Sequence, residues 1–340
     1  MAAPRIAVDA MGGDYAPDEI VKGALNAARE GLAEIILVGD RARLDPLLQG
    51  VDLASLRVSV VHASEVIGMD EAPAQALRSK KDASISVALR QVKEGRADGV
   101  VAAGSTGAAM AAALMILGRI PGIERPAIAV VMPTARGPAV LLDVGANVDS
   151  KPSYLTQFAI MGGIYARQVL KKPAPRVGLF NIGEEEGKGN ELTKEAYPLL
   201  KQLADLNFIG NVEGRDFPFG KADVVVCDGF VGNGLLKFAE GMALLLMDML
   251  KEEIARDWRG KLAALMMKPN LVRLKRRLDY AEYGGAPLLG VNGICIIGHG
   301  SSKALGLYHA IRVAKEAVEA DTIGTIRRAL ASNSPSGVVE

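Results

Sequence analysis

The residues best suited to chemistry lie in four glycine-rich turns, each of which directly follows an apolar run typical of a β-strand. The turns span residues 10–14, 104–107, 228–234 and 298–302. Glycine lets the backbone approach a ligand closely, and a helix that starts after such a turn points free N–H groups at an anion. Ligands of open parallel sheets bind outside the carboxyl ends of the strands. The four turns therefore predict one site for a phosphate-like group.

The turn at residues 103–107 supports two chemistries. Its sequence, Ala-Gly-Ser-Thr-Gly, is similar to the nucleophile elbow of serine hydrolases, and Ser105, Asp228 and His299 follow the chain order of a catalytic triad. The same small residues suit an anion-binding loop, in which the hydroxyls of Ser105 and Thr106 would donate to phosphate. A serine hydrolase or thioesterase is therefore the alternative to a phosphate-binding enzyme.

Nucleotide cofactors and metals do not fit the sequence. Residues 10–17 lack the dinucleotide fingerprint. Residues 183–189 are one residue short of a P-loop, lack its Ser or Thr, and contain three glutamates that would repel phosphates. No cluster of His, Cys, Asp or Glu has the spacing of metal ligands. We therefore predict no cofactor and no metal.

Composition predicts an ordinary globular cytoplasmic protein. The 340 residues carry 40 basic and 39 acidic side chains, a net charge of +1, so no attraction to nucleic acid is expected. The two cysteines, Cys227 and Cys295, lie in apolar runs, which indicates buried thiols in a reducing compartment. The first strand begins by Arg5, which leaves no room for a signal peptide. The uncharged stretch 99–118 contains a small-residue turn, so we expect a buried strand and helix rather than a membrane span.

Strand-like and helix-like runs alternate along the chain. This pattern predicts a three-layer α/β/α fold with a mostly parallel sheet that is covered on both faces. We predict a single domain over residues 1–332 and a flexible tail over 333–340. The predicted strands are residues 6–9, 35–38, 58–61, 99–103, 128–131, 140–143, 177–180, 224–227 and 294–297. The predicted helices begin near residue 17 and cover 72–94, 107–118, 153–170, 190–206, 234–256 and 303–318.

Residues 256–277 contain eight basic side chains and one acid, Asp257, interleaved with leucine and methionine. Pro269 predicts two short helices here, a basic helical hairpin over about 256–280 that protrudes from the domain. This segment is either a solvated basic face or a surface for an acidic protein or lipid. The residues proposed for that surface are Lys261, Leu262, Leu265, Met266, Lys268, Leu271, Arg273, Lys275, Arg276 and Arg277.

Six segments of the chain strongly resemble the bacterial acyl-acyl-carrier-protein:phosphate acyltransferases, the PlsX family. The longest and most specific are VDAMGGDYAP at residues 8–17 and NIGEEEGKGN at residues 181–190. The others are residues 103–107, 142–147, 227–233 and 298–301. The resemblance covers nearly the whole chain.

The resemblance implies that inorganic phosphate attacks the thioester of a long-chain acyl carrier protein, giving acyl phosphate for phospholipid synthesis. It also implies a fold akin to that of isocitrate and isopropylmalate dehydrogenases and of phosphate acetyltransferase. A homodimer is expected, bound peripherally to the inner face of the plasma membrane and in contact there with the membrane glycerol-3-phosphate acyltransferase.

The resemblance also suggests roles for the residues of these segments. Such a reaction needs positioned reactants and donors for the oxyanion that forms on the thioester carbonyl. The proposed catalytic residues are Lys188, Asp228, Asn233 and His299. The proposed ligands of phosphate or acyl phosphate are Asp9, Gly12, Gly13, Gly104, Ser105, Thr106, Gly107 and Asn147.

Overall fold

A computed structural model describes residues 3–278 and 284–333 of the chain. Eleven strands within these residues form one sheet, with helices on both faces. The strands are Arg5–Asp9 (β1), Glu34–Gly39 (β2), Val58–His62 (β3), Gly99–Ala102 (β4), Ala127–Thr134 (β5), Gly137–Leu142 (β6), Val177–Phe180 (β7), Phe208–Val212 (β8), Val224–Val226 (β9), Ala286–Leu289 (β10) and Ile294–Ile297 (β11). The α-helices are Asp18–Arg29 (α1), Arg41–Leu48 (α2), Pro73–Ser79 (α3), Ser84–Lys93 (α4), Thr106–Ile116 (α5), Pro152–Gln168 (α6), Glu191–Lys201 (α7), Gly229–Ala255 (α8), Trp258–Leu278 (α9), Ala304–Glu319 (α10) and Thr322–Asn333 (α11).

The strand order is β3-β2-β1-β4-β11-β10-β5-β6-β9-β7-β8, and most neighbouring pairs are parallel, as predicted. Three consecutive pairs are antiparallel: β11 with β10, β10 with β5, and β5 with β6. We call β3, β2, β1, β4 and β11 the first half of the sheet, and β6, β9, β7 and β8 the second half. Because the direction reverses three times between them, the strands of the two halves run in opposite directions.

The strands inside the sheet are largely buried on both faces, which explains their continuous apolar sequences. One hydrophobic core lies on a single face and spans both halves of the sheet; it includes α4, α5 and the beginning of α8. On the other face, α1 and α10 cover the first half, whereas α6 and α7 cover the second half. The chain thus forms the predicted three layers.

A helical hairpin is present, but it is not the predicted pair of short helices within residues 256–280. Its two arms are α8 and α9, and the expected break at Pro269 is wrong because α9 runs through it from Trp258 to Leu278. Proline removes one backbone bond, to the carbonyl of Leu265. Both residues are exposed, so water can bond to that carbonyl and the helix continues. The side chains at positions 261 and 275–278 and all of residues 279–283 lie outside the described residues. The surface roles expected of Lys261, Lys275, Arg276 and Arg277 therefore stay predictions.

Other elements also differ in detail from the sequence-based expectation. The predicted helix 72–94 is two helices, α3 and α4, and β8 and β10 were not predicted. The stretch 99–118 is indeed a strand followed by a helix. Asn333 is the last residue of α11, and residues 334–340 of the predicted tail lie outside the described part of the chain.

Candidate active site

The turns after β1, β4 and β11 pack directly against one another, and we call them the first loop cluster. A Cβ atom at Gly12 would lie 2.9 Å from the Cα of Gly104, and one at Gly13 would lie 3.2 Å from the carbonyl oxygen of Gly300. Such close approach requires residues without a side chain. Backbone from three strand ends therefore surrounds one point at the carboxyl edge of the first half.

Helix α5 begins in this cluster. Ser105 is its N-cap, because the Oγ atom accepts a hydrogen bond of 3.4 Å from the backbone N–H of Ala108. Thr106 is exposed on the first turn, and Gly107 passes close to Pro73 of α3. Free N–H groups and the helix dipole make this first turn attractive to an anion.

Asp9 lies under the first turn of α5, beside a polar cavity of about 10 Å³ that is lined in part by Ser84 and Ser105. Its carboxylate is 3% exposed and accepts a 3.1 Å hydrogen bond from the backbone N–H of Met11. Burial raises the pKa of Asp9, against the opposing effect of hydrogen bonds from Ser84 and Met11. The cavity has room for about one water. A phosphate bound to α5 would therefore lie at its mouth.

His299 belongs to the same cluster and is exposed. Its Nδ1 atom accepts a 3.2 Å hydrogen bond from the backbone N–H of Ser301 and lies 2.8 Å from the Oγ of that residue. In this tautomer the proton of the neutral ring is on Nε2, which makes Nε2 the donor.

The turns after β6 and β9 and the loop after β7 form a second loop cluster, with Asp143 at its centre. Oδ1 of Asp143 accepts from the backbone N–H groups of Ile128 (3.0 Å) and Ala146 (3.1 Å). Oδ2 accepts from the backbone N–H (2.7 Å) and the Nδ2 (3.0 Å) of Asn147. Burial raises the pKa of Asp143, and these four hydrogen bonds act in the opposite direction. The carboxylate thus organises the turn that follows β6.

Asn147 is committed to the same network. Its Nδ2 also donates to the carbonyl of Pro126 at 2.8 Å, and its own carbonyl accepts from the N–H of Gly229 at 2.8 Å. Because both amide hydrogens of Asn147 are used within the protein, its side chain holds two turns together and is not placed to donate to a substrate.

Asp228 and Asn233 lie at the start of α8. Asp228 caps this helix, because its Oδ1 accepts a 2.9 Å hydrogen bond from the N–H of Val231. Asn233 is exposed and faces the turn after β6, where a Cβ at Gly145 would lie 3.6 Å from its Nδ2. Asp228 is thus a structural cap, whereas Asn233 presents a donor at the surface of the second loop cluster.

Lys188 lies in the loop after β7, at the same edge of the sheet. Two asparagines fix this loop: Asn181 donates to the carbonyl of Lys188 at 3.0 Å, and Asn211 donates to the carbonyl of Glu185 at 2.8 Å. The side chain of Lys188 is exposed. The loop is therefore held rigidly while its lysine projects outward.

Lysines from outside the loop bind two of its three glutamates. Lys221 lies 2.5 Å from Glu184, and Lys201 lies 3.2 Å from Glu186. These ion pairs offset negative charge beside Lys188. The sequence alone did not indicate the pairing.

The first and second loop clusters begin at nearly the same height in the sheet, although their strands run in opposite directions. The pairing register from β4 through β11, β10 and β5 to β6 places Val101 and Leu142 at the same height. They lie four strands apart, or roughly 19 Å at the usual strand spacing. The helices that start at the two clusters, α5 and α8, share one core on one face. Three of the four glycine-rich turns therefore meet as predicted, whereas the turn after β9 joins the second cluster across the junction of the two halves.

The serine hydrolase alternative is not supported by this arrangement. Ser105 caps α5, and the His299 contact described above is to Ser301. Asp228 lies in the other cluster as the cap of α8. The antiparallel strands separate Asp228 from Ser105 and His299, which both lie in the first loop cluster.

Two further kinds of reactive group are cysteine thiols and metal-binding clusters. Cys227 and Cys295 are buried free thiols. Burial raises the pKa of Cys295 to about 12 and that of Cys227 well above its ordinary value. In residues 3–278 and 284–333, no group of three or more His, Cys, Asp or Glu side chains is placed to hold a metal ion.

Sequence reasoning missed two features of the site. Ser84, which is 1% exposed, hydrogen-bonds Asp9 from the start of α4. A serine at a helix N-terminus inside an apolar pattern was the available signal. Phe230 and Phe238 are 73% and 69% exposed on α8, next to Asn233. The helical periodicity of α8 did not reveal that these rings lack a partner in the core.

Solved structures share this architecture. A phosphotransacetylase from Streptococcus pyogenes superposes with a TM-score of 0.65 at 21% identity, over 93% of this chain and 94% of that one. A 4-hydroxythreonine-4-phosphate dehydrogenase from Burkholderia phymatum superposes with a TM-score of 0.51 at 14% identity, over 92% and 98%. The fold is thus of the class found in phosphotransacylases and this type of dehydrogenase, which confirms the predicted dehydrogenase-like fold.

Sequence comparison identifies the family. Residues 4–325 match the family described as "Fatty acid synthesis protein". A protein of Heliobacterium modesticaldum named "Phosphate acyltransferase" is 59% identical over 324 residues, covering 95% of this chain and 96% of the relative. One of Desulfitobacterium hafniense with the same name is 58% identical over 327 residues, covering 96% and 97%. The chain therefore belongs to this family, and the predicted membership is confirmed.

Proposed function

We propose that this protein transfers a long-chain fatty acyl group from acyl carrier protein to inorganic phosphate, reversibly, giving acyl phosphate for phospholipid synthesis. The family and the phosphotransacylase fold support acyl transfer to phosphate. The first and second loop clusters supply a binding place for each reactant.

Phosphate binds in the first loop cluster, at the start of α5. The observation that carries this assignment is the packing of three glycine-rich turns around that helix N-terminus, with Gly12 and Gly104 in close contact. Backbone N–H groups and the hydroxyls of Ser105 and Thr106 would donate to the phosphate oxygens.

The thioester carbonyl binds at the junction of the two halves, between the bound phosphate and the second loop cluster, so that a phosphate oxygen and the carbonyl carbon are in contact. A phosphate oxygen forms a bond to the carbonyl carbon, and the carbonyl oxygen becomes an oxyanion. Asn233 and Lys188 stabilise this oxyanion. The C–S bond then breaks, the electron pair leaves with the carrier sulfur, and His299 supplies a proton to that thiolate.

Release of the carrier thiol from palmitoyl carrier protein tests this function. The purified protein should release thiol only when phosphate is present, with a rate that saturates in phosphate concentration. Equal release without phosphate, with free fatty acid as the product, would mark a hydrolase and contradict the proposal.

We also propose a cytoplasmic homodimer that contacts the inner face of the plasma membrane, and through it the membrane glycerol-3-phosphate acyltransferase, by the hairpin of α8 and α9. By length and composition α8 could cross a membrane, but its first turn is buried in the second loop cluster at Gly229 and Gly232. Leu262, Leu265 and Met266 are largely exposed on α9 near basic residues. An apolar surface beside basic side chains suits an anionic membrane interface or an acidic carrier protein.

Vesicle flotation tests the membrane contact. The double variant Leu262→Glu, Leu265→Glu should lose most binding to anionic vesicles, because two carboxylates would have to enter the interface. Leu199→Glu, at an exposed leucine of α7 outside the hairpin, is the control and should float like the original protein. Unchanged flotation of the double variant would exclude this segment from membrane binding.

A further inference from the structure

An apolar groove lies beside the second loop cluster. Its volume is about 520 Å³, within the range of small-molecule sites. Its walls are formed by Val148, Phe180, Phe230, Val231, Leu235 and Phe238. These residues come from the turn after β6, the end of β7 and the first three turns of α8, so ordered elements shape the groove.

The rings on this groove are unusual for a solvent-facing surface. Phe230 and Phe238 are more than two-thirds exposed, and Val148 is 63% exposed. A contiguous apolar surface of this kind normally marks a binding site. Asn233 and Lys237 supply the polar lining side chains, and Lys237 pairs with Glu240 at 2.9 Å. An apolar ligand with one polar end suits this lining.

We propose that this groove binds the fatty acyl chain of the thioester substrate, with the carbonyl carbon at the Asn233 end. The inference rests on the proposed function, which requires a place for a long hydrocarbon chain. The cavity at Asp9 is too small and too polar for such a chain. The groove instead begins at the residue assigned to the carbonyl oxygen and is apolar beyond it. Each methylene group that it removes from water strengthens binding about fourfold.

Two glycines of α8 allow a matched test. Gly234 lines the groove and Gly241 does not, and a Cβ at either position would meet nothing within 4 Å. The two lie two turns apart on the same helix, where leucine is more favourable than glycine. Gly234→Leu therefore adds a side chain to the groove from a position where its Cβ meets no other atom, whereas Gly241→Leu adds the same side chain outside the groove.

The measurement is kcat/KM for palmitoyl and hexanoyl carrier protein at saturating phosphate. Gly234→Leu should lower the ratio of palmitoyl to hexanoyl activity at least about tenfold, since its four carbons displace part of the longer chain. Gly234→Ala should give a smaller decrease, and Gly241→Leu should leave the ratio unchanged.

An unchanged ratio in Gly234→Leu, with an active original protein, would overturn the groove assignment and leave the proposed function intact. Failure of the original protein to transfer acyl groups to phosphate would instead refute the proposed function. Equal losses for both thioesters, together with a lower molecular mass in solution, would show that the groove is a contact between two copies of the chain and would also overturn the proposal.

Discussion

At the scale of single residues, the site contains three aspartates with different roles. Asp143 accepts four hydrogen bonds and organises a turn, whereas Asp228 accepts one and caps a helix. Asp9 faces the mouth of the proposed phosphate site. The same residue type at three strand ends therefore has three roles, and only the hydrogen-bond partners distinguish them.

Asp143→Asn should destabilise the fold by about 2–4 kcal/mol, because an amide nitrogen would replace an oxygen that accepts two hydrogen bonds in a largely buried site. The free energy of unfolding in denaturant measures this change. Asp228→Ala, which removes only a helix cap, should cost about 1 kcal/mol. Equal effects of the two changes would contradict the role given to Asp143.

Asp9 should make phosphate binding depend on pH. Its pKa is raised by burial, so below that pKa the neutral carboxyl can donate to phosphate, and above it the carboxylate repels phosphate. The KM for phosphate should therefore increase with pH more steeply in the original protein than in Asp9→Asn, whose amide stays neutral. Superimposable pH profiles would remove Asp9 from the phosphate site.

At the scale of elements, α5 couples the fold to the proposed anion site through Ser105. Ser105→Ala removes the cap of α5 and one donor to phosphate. We expect a loss of about 1 kcal/mol in stability and a higher KM for phosphate, with acyl transfer still measurable. Complete loss of transfer, together with a covalent acyl adduct on Ser105 in the original protein, would contradict this role and indicate that Ser105 is a nucleophile.

The sequence predicted those strands whose apolar runs are uninterrupted and end in a glycine turn. β4 and β11 are short uninterrupted apolar runs before glycine turns, and both were predicted. β8 was missed because Gly210 and Asn211 interrupt its apolar pattern, and β10 because Pro287 disfavours a strand. Pro269 was expected to end a helix, but α9 continues through it. The prediction failed because residue types do not show that this turn is exposed to water.

At the scale of the whole molecule, the direction of the strands decided which turns meet. An apolar run predicts a buried strand but carries no sign of its direction, so all four glycine turns were expected in one cluster. Three antiparallel pairings separate them into the two loop clusters. The sequence was sufficient to propose the glycines, Ser105 and His299 of the first loop cluster and Asn233 and Lys188 of the second. It did not indicate that these residues lie in two clusters.

The central claim is that the first loop cluster holds phosphate and the second stabilises the reacting carbonyl. Steady-state kinetics of Gly12→Ala and Asn233→Ala, with both substrates varied, tests it most directly. A Cβ at Gly12 would push against Gly104, so Gly12→Ala should raise the KM for phosphate at least about tenfold and leave the KM for the thioester unchanged. Asn233→Ala should lower kcat at least about tenfold at an unchanged KM for phosphate. A normal KM for phosphate in Gly12→Ala, or normal turnover in Asn233→Ala, would contradict this division of the site.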